Sequence, residues 1–87
     1  MKLQAKAYPN PFYTNLSVEV ITDAESQVIF RLYNQLGNLI KMSYWKLLKG
    51  NNKIMLDNLQ NLAMGLYTIE LKDENNHVLH KFELVKS

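Results

Sequence analysis

Apolar side chains recur at every second residue through most of this chain, and at helical spacing almost nowhere. In residues 15–22, Leu16, Val18 and Val20 alternate with Ser17, Glu19 and Ile21. In residues 27–34, Val28, Phe30 and Leu32 alternate with Ile29, Arg31 and Tyr33, and after Gly65 the set Tyr67, Ile69 and Leu71 alternates with Thr68, Glu70 and Lys72. Successive side chains of a strand point to opposite faces, so this period requires sheets with one buried face. The abundance of Val, Ile and Tyr agrees with it. Weaker runs repeat the pattern: Leu3, Ala5 and Ala7 at an edge position, Ile40, Met42 and Tyr44 in residues 39–45, and Ile54 and Leu56 in residues 53–57. In residues 77–86, Val78, Phe82 and Leu84 are expected inward and Leu79, Lys81, Glu83 and Val85 outward. Leu59, Leu62 and Ala63 have helical spacing, but the window is too short to sustain a helix. About seven strands at intervals of roughly 8–12 residues predict an all-β antiparallel sandwich or small barrel.

Turn residues separate the runs. Residues 23–26, 34–38 and 73–76 are polar connections, and Gly50-Asn51-Asn52 reads as a further turn. Gly37, Gly50 and Gly65 are expected to supply backbone geometry and to touch no ligand. Both prolines fall in Tyr8-Pro9-Asn10-Pro11-Phe12. Neither donates a backbone hydrogen bond, and each pushes the residue before it out of the helical region. The segment is a stiff corner ending the first strand, with Tyr8 and Phe12 expected to pin it onto the core.

Eighty-seven residues make a single domain. The absence of cysteine removes disulfides and thiolate metal sites. A formal net charge of +2 is too balanced for a nucleic-acid surface, although Tyr33, Tyr44, Trp45, Lys41, Lys46 and Lys49 cluster in sequence. No apolar run approaches the ~18 residues of a membrane span, and residues 1–6 lack the apolar stretch of a signal peptide. An enzyme reading lacks its residues. His77 and His80 are three apart and face opposite sides of a regular strand, and Asp73 and Glu74 lie in a turn. Ser17, Ser26, Ser43 and Ser87 have no catalytic context, and no phosphate loop or nucleophile elbow is present. No catalytic residue, metal ligand or cofactor site is expected.

Five segments, in order, resemble the type A C-terminal sorting domain of type IX secretion cargo in Bacteroidetes. Tyr8-Pro9-Asn10-Pro11-Phe12 is similar to the opening Y-P-N-P-F signature, and VIFRLYNQLG (28–37) to an apolar strand, polar turn and glycine. Leu48-Lys49-Gly50-Asn51-Asn52 resembles an L-x-x-G-x-N turn with slightly altered spacing. Leu62-Ala63-Met64-Gly65-Leu66-Tyr67 is similar to the L-x-x-G-x-Y step, and KFELVK (81–86) to the closing K-x-x-x-V-K strand.

The resemblance implies an immunoglobulin-like sandwich and a non-catalytic address. Covalently linked N-terminal cargo would pass the periplasm and then cross the outer membrane through the secretion machinery. A sortase-like peptidase would remove the domain, leaving cargo released or anchored at the surface. Family members end a larger precursor, so this sequence, opening at Met1, is expected to be excised from one. The expected handle is the last strand, with Leu79, Lys81, Glu83, Val85, Lys86 and Ser87, because a partner can extend an edge strand. Self-association through an edge is a second use of the same property. The rival reading is a cell-surface module in which Tyr44 and Trp45 stack on carbohydrate or bind protein.

Overall fold

The three cleanest alternating runs become the three strands with a neighbour on each side. A computed structural model describes residues 2–87 and has seven strands: β1 (Leu3–Tyr8), β2 (Leu16–Thr22), β3 (Ser26–Tyr33), β4 (Leu39–Leu47), β5 (Gly50–Leu56), β6 (Gly65–Lys72) and β7 (Val78–Lys86). They form a three-stranded sheet, β1-β2-β5, and a four-stranded sheet, β4-β3-β6-β7, with every pairing antiparallel. The two sheets enclose one core, and the expected antiparallel sandwich of seven strands is what forms. β4 pairs with β3, leaving β5 as an edge of the smaller sheet.

The inward sets expected for β2, β3 and β6 are buried. Leu16, Val18, Val20, Val28, Phe30, Leu32, Ile69 and Leu71 are all completely enclosed, and Phe12 joins them from the proline corner. Trp45 lies opposite Val28 on the inner face of β4 and stacks on Phe30, with ring centroids 4.6 Å apart. Burying an aromatic removes some 150–250 Å² of surface from water, which makes such rings the largest contributors in a domain this small. No helix forms at residues 57–64; this connection carries buried Leu59 and half-buried Leu62 onto the core instead.

Three local expectations are corrected. Gly50-Asn51-Asn52 opens β5 instead of forming the turn. The Asn52 side chain stitches the crossing between sheets, accepting from Leu48 N (2.9 Å) and donating to Leu48 O (2.9 Å) and Val20 O (3.3 Å). In β7 the register shifts between Leu71↔His80 and Lys72↔Val78, so the strand carries one residue more than its partner. A bulge of this kind reverses the faces beyond it. Leu79, expected outward, therefore packs against the core, and Val78, expected inward, is half exposed.

The third correction concerns Tyr8. Leu3, Ala5 and Ala7 take the inner face of β1, so Tyr8 falls on the outer face with Gln4 and Lys6. Its hydroxyl donates to Glu19, and the Lys6 ammonium lies 5.8 Å from its ring centroid. That hydroxyl, helped by Lys6 and Lys53 and opposed by desolvation, holds the Glu19 carboxyl below its ordinary 4.5. A carboxylate depressed in the folded state contributes stability above its unfolded pKa and loses it as pH falls through the folded one. The Tyr8→Phe variant should therefore show a shallower acid limb. Its melting temperature should lie below the parent's near pH 6 and approach it as pH falls below the ordinary carboxylate range. Parallel curves over that interval would remove the coupling.

Candidate functional site: the proline corner and the closing strand

In an antiparallel ladder, alternate residues direct both backbone groups at one neighbour and the intervening residues direct theirs the other way. β7 is paired on one side by β6, so one residue in two offers its N–H and C=O to an edge. At its end that edge is closed by the corner. The Asn10 side chain accepts from Val85 N (2.9 Å), Phe12 N donates to Val85 O (2.8 Å), and Ser87 N donates to Phe12 O (2.9 Å). Phe12 and Lys86 form a parallel bridge, the one place where chains in this fold pair in the same direction among the described residues. Both X-Pro bonds of the corner, Tyr8–Pro9 and Asn10–Pro11, are cis.

The chemistry of this latch follows from the motif. Pro9 and Pro11 have no N–H, so within Pro9-Asn10-Pro11 the Asn10 side chain is the group that meets β7. Phe12, the first residue past the prolines, regains a backbone donor and uses it on Val85. Its ring passes inward and meets Tyr67 edge to face, with centroids 5.9 Å apart and planes at 69°. The Tyr67 hydroxyl donates to Ala63 O (2.7 Å) and so ties the start of β6 to its preceding loop.

A second junction joins two further signature segments. Gln35 Oε1, from the β3–β4 turn, accepts from Leu66 N at 3.3 Å, beside Gly65 with φ +146°. A Cβ on Gly65 would come within 2.9 Å of that same oxygen. Gly37 (φ +85°) and Gly50 (φ +104°) have open space where a Cβ would be, so their requirement is conformational.

The residues expected at the handle divide by face. Lys81, Glu83 and Val85 are exposed on the outer face of β7, opposite Glu70, Thr68 and Leu66 of β6. Leu79 is turned to the core by the bulge. Lys86 is buried, with its ammonium donating to Ser87 O at 2.6 Å, while Ser87 is exposed. Asn10 is expected only as a structural residue of the corner and Gln35 only as part of a polar turn; their partners, 75 and 31 residues away, are not legible in the pattern.

Elsewhere the constellations remain dispersed. Tyr44 and Trp45 are adjacent in β4 and face opposite sides, Tyr44 exposed and Trp45 on Phe30, so they do not form one stacking platform. Asp73 organises its turn by accepting from the backbone N–H groups of Asn75 and His77, both at 2.9 Å. The His77 N–H is the main reason its carboxyl lies below the usual range. His80 sits on the inner face of β7 beside Phe82. No three His, Asp or Glu side chains among the described residues converge on a common point.

Four of the five signature segments thus meet in pairs, opening with closing and β3–β4 turn with the entrance to β6. A family model described as the secretion system C-terminal sorting domain matches residues 6–85. The chain belongs to that family. A sorting domain of this kind is the C-terminal signal of type IX secretion, and the match spans all seven strands at least in part. The family is a non-catalytic targeting signal, attached to cargo and directed to export across the outer membrane. A search of curated proteins found no match. Among solved structures, a mutant beta-glucosidase from Listeria innocua in complex with laminaribiose is similar at 15% identity and a TM-score of 0.48. That alignment covers 99% of the sorting domain and 16% of the glucosidase chain.

Proposed function

We propose that this sorting domain is read, as a folded unit, by outer-membrane components of the type IX machinery after its precursor reaches the periplasm. A sortase-like peptidase then removes it, and the cargo is released or anchored at the cell surface. The observation that carries this reading is the family match over residues 6–85, and four of the five segments that resemble the family signature form the two junctions. A signal shared by unrelated cargoes must fold without help from them. The latch serves that need by tying the segment just after β1 to the last strand. The surface read by the machinery is the outward part of β7, carrying Lys81, Glu83 and Val85.

The test is export of a fluorescent cargo carrying residues 1–87 at its C-terminus, in a Bacteroidetes host with and without a functional type IX system. Fluorescence at the surface or in the medium is expected only with the system intact. Retention of the fusion in the periplasm of the competent host would sink the proposal.

A further inference from the structure

We infer that the partner reads β7 by pairing an extended segment with its open backbone edge at Lys81 and Glu83, and that the proline corner sets where this pairing stops. The inference rests on the reading of the chain as a sorting signal and goes on to name the form and chemistry of what binds it. Val85 gives both its N–H and its C=O to the corner, and Ser87 gives its N–H. By the alternation of an antiparallel edge, Lys81 and Glu83 direct theirs the same way, where no backbone group among the described residues receives them. The edge is therefore closed from Val85 onward and open just before it. Pro9 and Pro11 prevent the corner from continuing as a strand beside Glu83, and β1, which lies against β7, pairs with β2 and not with it.

Charge selects the occupant. Lys6, Lys46 and Lys72 are paired with Glu19, Glu25 and Glu70, whereas Lys81 and Glu83 have no ionic partner among the described residues. They stand on the outer face at the lip of a shallow depression of about 510 Å³ that also borders Tyr33 and Leu66. The complementary partner is an extended protein segment with an acidic side chain beside Lys81 and a basic one beside Glu83. In strand addition, main-chain bonds supply affinity and alternate side chains supply selectivity. The β4 edge, with Lys41 and Lys46 of one sign and exposed Met42 and Tyr44, lacks such a pattern.

Proline distinguishes an edge that is read from one that is merely exposed. Glu83→Pro removes an N–H that points away from β6 and leaves the ladder to β6 intact, a placement that edge strands tolerate. In the fluorescent fusion, Glu83→Pro is expected to lower export at least about tenfold while Glu83→Ala keeps about half or more of it. Circular dichroism melting of the purified variants checks that each remains folded. If Glu83→Pro does not fold, Lys81→Pro takes its place with the same expectation. The double reversal Lys81→Glu with Glu83→Lys should also reduce export, and undiminished export would overturn the charge assignment. Export by a folded proline variant at the parent's level, or an alanine variant as defective as the proline one, would overturn strand pairing. Both outcomes leave the sorting function standing. A parent fusion that is not exported overturns the sorting reading itself, and this inference with it.

Discussion

Replacing Phe12 with alanine is expected to destabilise the domain by about 3–5 kcal/mol, the range found for truncating a fully buried aromatic. Phe12 has no exposed surface, and its edge-to-face contact with Tyr67 adds to the loss. A domain of this length has a total stability of roughly 4–13 kcal/mol, at about 0.05–0.15 kcal/mol per residue, so a single ring carries a large share. The measurement is the urea midpoint at neutral pH with the slope held fixed. Amide exchange gives a second readout. The Phe12 ring anchors the backbone that accepts from Ser87 N and donates to Val85 O. The amides of Ser87 and of residue 12 itself should therefore lose protection beyond the global change. A loss below about 1.5 kcal/mol, closer to a tolerated apolar swap, would mean that the corner is decoration on a core complete without it.

The second large effect is expected at Gly65. Valine there would be forced to φ +146°, a conformation that costs a β-branched residue roughly 1–3 kcal/mol. The clash with Gln35 Oε1 is the lesser cost, because it meets the flexible end of an exposed side chain that can swing away. Moving Gln35 sacrifices its bond to Leu66 N, an exposed hydrogen bond worth about 1 kcal/mol or less. Gln35→Ala should therefore be mild and Gly65→Val substantial, at about 4–8 °C of melting temperature per kcal/mol in a domain this small. Equal effects from the two variants would place the cost in the side-chain contact. An unchanged melting temperature for Gly65→Val would remove the conformational argument.

Most of the inner surface was legible because burial leaves a periodic trace. The sets of β2, β3 and β6 lie in strands flanked on both sides, where each residue is either wholly inside or on one outer face. The trace fails where the period is interrupted. Leu79 and Val78 exchanged places because a bulge inserts one residue, and nothing in their hydrophobicity marks which of the two is extra. Tyr8 was expected inward because it is aromatic, yet Ala5 and Ala7 had already assigned the inner face. A tyrosine satisfies both demands from outside, laying its ring along β1 and giving its hydroxyl to Glu19.

The sequence by itself determined that the chain is all-β, that its core is drawn from alternate residues of three principal strands, and that its signature segments belong to a sorting domain. These follow from local periodicity, turn chemistry and motif order, which need no knowledge of what is near what. Only the tertiary structure decided that the first and last signature segments are one feature. Asn10 and Val85 are joined by a hydrogen bond across 75 residues, and no local pattern encodes a contact at that separation. The same contact divides β7 into a closed end and an open edge, because a backbone group already bonded within the fold has nothing left to offer a partner.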